Sequence, residues 1–258
     1  MTLSLYIDRD GSVQRLHPVT KLFGMLGLFT ATFVTQDFAS VVPLALLVIG
    51  IAAAARAFGN FRRMRALLLL VFLMTFAIWS LFYPEGQPIF TAGPVRVSRE
   101  GIGFAAGIAV QLVTFLAIGI LFLSTTKIEE FAYALHRVGL PHKLAFTITL
   151  TFRLVPVFLE SATSVVQAQR CRGFDFDRGG PLQRLKRYVP ILVPVFVGAL
   201  RRADGMAIAL DSRGFQSAGR RTSFAPYVFR GIDVVALLAV AGVTAGYGWL
   251  WMEGAKLV

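Results

Sequence analysis

Five apolar stretches alternate with polar ones along the chain, over residues 22–35, 39–57, 66–83, 102–126 and 232–252. A bilayer span takes about 20 apolar residues, so the pattern predicts a transmembrane helix at each. The first reaches that length only when counted from Val19, which implies a tilted helix or one shielded by its neighbours. Pro18 suits the first turn of that helix, where a missing N–H costs nothing. Gln36 and Asp37 leave room for only a tight turn, so the first two spans form a hairpin. Arg56, Arg62, Arg63 and Arg65 read as a basic loop before the third span. Pro84, Gly86, Pro88 and Pro94 mark the connection to the fourth as turn-rich.

Between the fourth and fifth spans lies a polar region, 127–230, that reads as mostly helical. Phe131, Ala134, Leu135 and Val138 recur at helical spacing and give an amphipathic stripe over 129–138, broken by Gly139-Leu140-Pro141. Residues 144–172 predict a long helix with a kink at Pro156, apolar in its first half and polar in its second. A charged, glycine-rich turn (175–181) and a basic stretch (184–187) follow. The apolar run 188–200 contains Pro190 and Pro194 and is too short for a confident span, so it reads as interfacial or re-entrant. Residues 201–213 predict a further helix. The fold class is therefore an all-α integral membrane protein with about five transmembrane helices. The domains are 1–126 (N-terminal arm and spans one to four), 127–230 (cytoplasmic helical domain) and 231–258 (last span).

Composition agrees: the chain is 56 % hydrophobic and 16 % charged, with a mean hydropathy of +0.67. Soluble domains carry about a quarter charged residues. The formal net charge is +12, and 16 of the 26 Lys and Arg residues fall within 127–230. By segment, Lys and Arg number 3 in the N-terminal arm, 0 in the first turn, 4 in the second loop, 2 in the third, 16 in the large region and 1 in the tail. The positive-inside rule then places the N-terminus and 127–230 in the cytoplasm and the C-terminus outside, in a plasma (inner) membrane. The charge suits anionic lipid headgroups or acidic proteins. No nucleic-acid-binding motif accompanies it, so nucleic acid is set aside. The N-terminus lacks the pattern of a cleavable signal peptide.

The chemistry is mainly one of exclusion. No phosphate-cradling Gly-x-x-x-x-Gly-Lys-Ser/Thr loop occurs, so ATP is not held in that manner. Cys171, the single cysteine, excludes an internal disulfide and a multi-cysteine zinc site. It lies between Arg170 and Arg172, with no histidine close in sequence to act as base. Asp175 and Asp177 read as a salt-bridged surface turn. His17, His136 and His142 do not make a metal set, and no nucleophile elbow is present. Neither a catalytic site, a metal site nor a cofactor is expected. Four of the spans hold one charged residue, Asp233, at the very start of the last; ion-coupled transporters place such groups near mid-membrane. Gly103-x-x-x-Gly107 and Gly242-x-x-x-Gly246 allow close helix approach, either internally or with a partner.

One pattern occurs twice: Ala168-x-x-x-Arg172-Gly173-Phe174 and Ala209-x-x-x-Arg213-Gly214-Phe215. Each reads as a helix ending, with Arg in the last turn, where the dipole favours a cation. Gly follows where a left-handed residue is wanted. The plain alternative is a pair of ordinary helix caps.

These motifs carry a resemblance. The chain resembles the T component, the CbiQ/EcfT-like transmembrane scaffold, of energy-coupling factor transporters, a class of ABC importers. The likeness runs through His17-Pro18-x-x-Lys21-Leu22, the segment 129–141, Arg153 and Pro156, and the two Arg-Gly ends. The family's Ala-Arg-Gly motifs read here as Cys171-Arg172-Gly173 and Ser212-Arg213-Gly214, departing at the first position. The resemblance makes 127–230 a coupling domain. It implies that Arg172, Gly173, Arg213 and Gly214 bind two ATP-binding cassette ATPases, supported by Ala168, Ala209, Phe174 and Phe215. It further implies that a separate small membrane protein, the S component, binds a vitamin or a transition-metal ion. Competing readings are a conventional ABC permease, whose Glu-Ala-Ala loop is missing here, and a membrane prenyltransferase, which needs a second Asp-rich motif.

Overall fold

The computed structural model describes residues 13–35, 38–83, 88–92, 95–174, 180, 188–215 and 227–254, with the backbone alone for 88–92, 95–97, 251, 253 and 254. The notable sequence features at 175–179, 184–187 and 220–221 lie outside the described residues. The elements are α1 (Pro18–Val34), α2 (Phe38–Ala54), α3 (Phe58–Phe82), β1 (Pro88–Ala92), β2 (Val95–Ser98), α4 (Arg99–Thr125), α5 (Ile128–Val138), α6 (His142–Cys171), α7 (Val189–Ser212) and α8 (Gly231–Gly254). The chain is thus a helical membrane protein, as its apolar pattern predicts. By length and composition alone, four helices can cross a membrane: Phe58–Phe82, Arg99–Thr125, His142–Cys171 and Gly231–Leu250; α1 and α2 have 17 residues each.

Four local expectations are corrected. The basic residues Arg62, Arg63 and Arg65 do not form a loop but lie exposed in the first turns of α3. Arginine is a good helix former, and the connection shrinks to three residues, with Arg56 at φ 52°. The turn-rich connection contains an antiparallel hairpin, β1–β2, in which Ala92 pairs with Val95. Residues 188–200 and 201–213 do not separate but form one helix, α7. Pro190 sits in its first turn, where proline is tolerated, and the helix continues through Pro194. Finally, α6 also qualifies as a span by length and composition, although its polar second half suggests otherwise.

The chain divides into two compact units, Met1–Leu140 with Tyr227–Val258, and Pro141–Pro226. In the first, the core gathers Leu28 and Ala31 of α1, Leu44, Val48 and Ala52 of α2, and Ala117, Ile118 and Leu121 of α4. Helices α1 and α8 touch closely because Gly27 presents no side chain: a Cβ there would lie 2.3 Å from Val240 Cγ1. Of the paired glycines singled out in the sequence, Gly107 is buried in α4, but the other three do not serve close packing in this way. Gly103, Gly242 and Gly246 all face open space. Polar side chains also fasten helices together. Gln111 Nε2 donates to the Thr32 carbonyl at 2.8 Å, and Asn60 Nδ2 to Ser124 Oγ at 2.8 Å. Tyr247 donates to the Ser40 carbonyl at 3.0 Å. Helix α3 packs on α4 yet fully buries only Asn60 among its 25 residues, and Leu69, Leu73 and Ile78 are among its exposed apolar side chains.

In the second unit, α6 packs against α7. Phe215, just past the end of α7, lies against Phe146 near the start of α6, ring centroids 4.6 Å apart, with His142 beyond it at 6.2 Å. The end of one helix therefore meets the beginning of the other, and the pair is antiparallel.

Candidate functional site

Both Arg-Gly ends have the same geometry. At the end of α6, Gly173 takes φ 81°, its N–H donates to the Arg170 carbonyl at 2.9 Å, and the Phe174 N–H donates to the Gln169 carbonyl at 3.0 Å. At the end of α7, Gly214 takes φ 69°, its N–H donates to the Asp211 carbonyl at 2.9 Å, and the Phe215 N–H donates to the Leu210 carbonyl at 3.0 Å. These are Schellman caps: the reversal satisfies carbonyls that the helix leaves free, and only glycine adopts the left-handed conformation without strain. The arginine is the last residue before the reversal in each. Arg172, Arg213, Ala168 and Ala209 are exposed, whereas Phe174 and Phe215 are half-buried. Among the described residues, neither guanidinium makes an ion pair or a side-chain hydrogen bond.

The antiparallel packing sets the spacing of the tips. Arg213 lies next to Phe215, which rests on Phe146, whereas Arg172 stands at the far end of α6. At 1.5 Å per residue, residues 146 to 172 span about 39 Å. The two arginines therefore stand at opposite ends of one antiparallel helix pair. A Cβ at Gly173 would meet nothing within 4 Å, so its requirement is conformational rather than steric.

The remaining candidates resolve individually. Cys171 is exposed in the last turn of α6. The Nδ1 of His136 lies 2.8 Å from the Leu140 carbonyl and closes the end of α5, where Gly139 takes φ 128°. Among the described residues, no group of three His, Cys, Asp or Glu side chains could hold a metal. Asp175 and Asp177 lie outside the described residues.

A second cluster, at the N-terminus of α1, was not identified as a site from the sequence. Lys21 is buried and donates to the carbonyls of Gln14 (2.7 Å) and Thr125 (3.0 Å) and to Glu130 Oε2 (2.8 Å). Asp233 is 1 % exposed; its carboxylate accepts from the His17 N–H at 2.7 Å and the Arg230 N–H at 2.8 Å. The Nδ1 of His17 accepts from the Val19 N–H at 3.3 Å, capping α1. Its ring meets Tyr133, Tyr227 and Phe229 edge-on, with centroids 5.9, 6.3 and 5.4 Å away. The available signals were the lone carboxylate at the start of an apolar span and the His-Pro-x-x-Lys spacing. The partners lie up to 216 residues apart, beyond the reach of local pattern.

Burial holds the His17 imidazole below its usual 6.5, with Asp233 opposing and Arg137 adding to the effect. The unfolded chain therefore takes up more protons as pH falls. The stabilisation is present above about 6.5 and is lost as pH falls through the lower folded value. His17→Asn keeps a capping acceptor but does not titrate. Thermal melts of the detergent-solubilised protein should show the stability advantage of wild type over this variant shrinking between about pH 7.5 and 5.5. Parallel curves would contradict the assignment.

The family described as cobalt transport protein, CbiQ, matches residues 10–224. The energy-coupling factor transporter transmembrane protein EcfT of Thermosediminibacter oceani is 30 % identical over 264 residues, covering 96 % of this chain and 99 % of that protein. The EcfT of Bacillus subtilis (strain 168) is 31 % identical over 94 % of this chain and 96 % of its own length. That of Thermanaerovibrio acidaminovorans is 34 % identical over 95 % and 94 %. With apolar helices and full-length likeness in agreement, this multi-pass membrane protein belongs to the CbiQ family, as a transmembrane T component of the energy-coupling factor class.

Proposed function

We propose that the chain is the mechanical scaffold of an ABC importer, carrying ATP-driven movement from two ATPase subunits to a separate substrate-binding membrane protein. The observation that carries this reading is the paired caps. Two exposed arginines, each fixed by the same glycine reversal, stand about 39 Å apart along one helix pair. A small domain is about 30 Å across, so the spacing suits one arginine per ATPase subunit rather than two in one cleft. Arginine suits the task because its planar fork makes several directional bonds to carboxylates and carbonyls at once. Beyond Arg65, the exposed apolar side chains of α3 give lipid, or the substrate-binding protein, a surface without charges to desolvate.

In this reading the 127–230 region faces the cytoplasm with the N-terminus, and the C-terminus lies outside. The cargo, a vitamin or a transition-metal ion, is bound by the partner protein. The purified chain should then hydrolyse no ATP, and hydrolysis should appear only when the ATPases are added. Turnover by the chain alone, surviving removal of contaminating ATPases, would sink the scaffold reading.

A further inference from the structure

The chain enters the 141–226 unit at Leu140–Pro141 and leaves it at Pro226–Tyr227. On the membrane side, both lead-ins fasten to one spot, the N-terminus of α1. The incoming lead-in, α5, is held by Glu130 on Lys21 and by Tyr133 against His17. The outgoing lead-in is held by Tyr227 and Phe229 against His17, and by Asp233, which binds the His17 and Arg230 amides. The two lead-ins also touch each other, with Tyr133 and Tyr227 centroids 4.8 Å apart.

We propose that His17 and Lys21 form a clamp that makes both lead-ins move as one body with α1, so that displacement of the arginine-tipped helices enters the membrane helices through α1. This rests on the scaffold reading. Two observations favour a transmitting role over a merely stabilising one. First, a buried ion pair is a poor source of stability, because desolvation offsets the Coulomb attraction and apolar pairs of similar size are often as stable. Lys21 nonetheless spends all three donors on three different segments: Gln14, Thr125 and Glu130. What such bonding supplies is direction. Second, α1 is fastened at its other end and along its length, to α4 through Gln111 on the Thr32 carbonyl and to α8 through the Gly27 approach. A push at its N-terminus therefore moves the packed helices together rather than bending one.

The test uses the full complex in proteoliposomes, measuring ATPase capture, ATP hydrolysis and substrate uptake together. Lys21→Met/Glu130→Met replaces the pair by apolar side chains of similar length. Tyr227→Leu loosens the outgoing lead-in at a residue that is 37 % exposed. Both should keep ATPase capture and hydrolysis; Tyr227→Leu should melt like wild type, and the pair variant, which leaves the Gln14 and Thr125 carbonyls without their donor, should melt lower. Uptake per ATP should fall about tenfold in the pair variant, within the usual range of coupling between sites, and severalfold in Tyr227→Leu. Unchanged uptake per ATP in both variants would overturn the clamp. So would loss of ATPase capture in either variant, or a melting temperature in Tyr227→Leu that falls in step with uptake, since that marks a structural role alone. A wild-type chain that captured no ATPase would instead contradict the scaffold reading, and the clamp with it.

Discussion

Replacing both tip arginines, Arg172→Ala/Arg213→Ala, should strip the chain of its ATPases and abolish uptake while leaving the membrane helices folded. Each side chain is exposed and without a partner among the described residues, so its removal leaves no buried group unsatisfied. At an interface the position differs. Truncating one member of a buried, charge-assisted contact costs about 2–5 kcal/mol, much of it from the partner charge left unpaired. Two such losses, on two subunits, exceed what the rest of the contact can absorb. Either single variant should still assemble and transport poorly. Arg→Lys should rescue only in part, because an ammonium lacks the planar fork. Gly173→Val and Gly214→Val should also weaken capture, since a β-branched residue resists φ values of 81° and 69°. If the tips were only helix caps, each arginine change would be worth about 0.3–1 kcal/mol of stability, and uptake would be normal. Pull-down of the ATPases together with uptake separates the two accounts.

The second large effect is expected inside the membrane unit. Gly27→Leu should destabilise the isolated chain by about 1–3 kcal/mol, as overpacking does in a close-packed core. The new Cβ would stand 2.3 Å from Val240 Cγ1 and 3.3 Å from Thr244 Cγ2. Valine is held to few rotamers by its branched Cβ, so the helices must part. Gly242→Leu, on the same α8, meets open space and should leave the isolated chain's stability within about 0.5 kcal/mol, like other changes away from packed features. Thermal melts in detergent compare the two. Equal effects would mean that α1 and α8 do not meet through Gly27.

That pair also shows where the sequence is informative. A Gly-x-x-x-Gly spacing states that a smooth strip exists, not which face of the helix turns inward. Gly27 belongs to no such spacing, yet it makes the closest approach described. By contrast, the Arg-Gly ends were legible because a Schellman reversal is decided within six residues, by one glycine and the carbonyls before it. The Arg62–Arg65 run shows that charge alone is a poor loop signal, because arginine continues a helix readily at an exposed surface. Pro190 does not break α7 because it lies in the first turn, where proline's cost is small, whereas Pro194 lies inside the helix, which continues through it.

The anchor at His17, Lys21 and Asp233 was hidden for a different reason. Each residue is unremarkable in its own neighbourhood, a polar group at the edge of an apolar run. Its meaning comes from partners brought in by the fold: Glu130 for Lys21, and the His17 amide for Asp233. Only the packing of α1 on α5 and α8 places those groups together.

Native mass spectrometry of the tagged chain, drawn intact from its own membrane, reads the composition of the assembly directly. The scaffold account expects one copy of this chain with two ATPase subunits and one small membrane protein that carries the substrate, and expects the ATPases to be absent when Arg172 and Arg213 are both alanine. Recovery of the wild-type chain with ATPases and a soluble extracytoplasmic solute-binding protein, or as a transporting species with no ATPase at all, would contradict it.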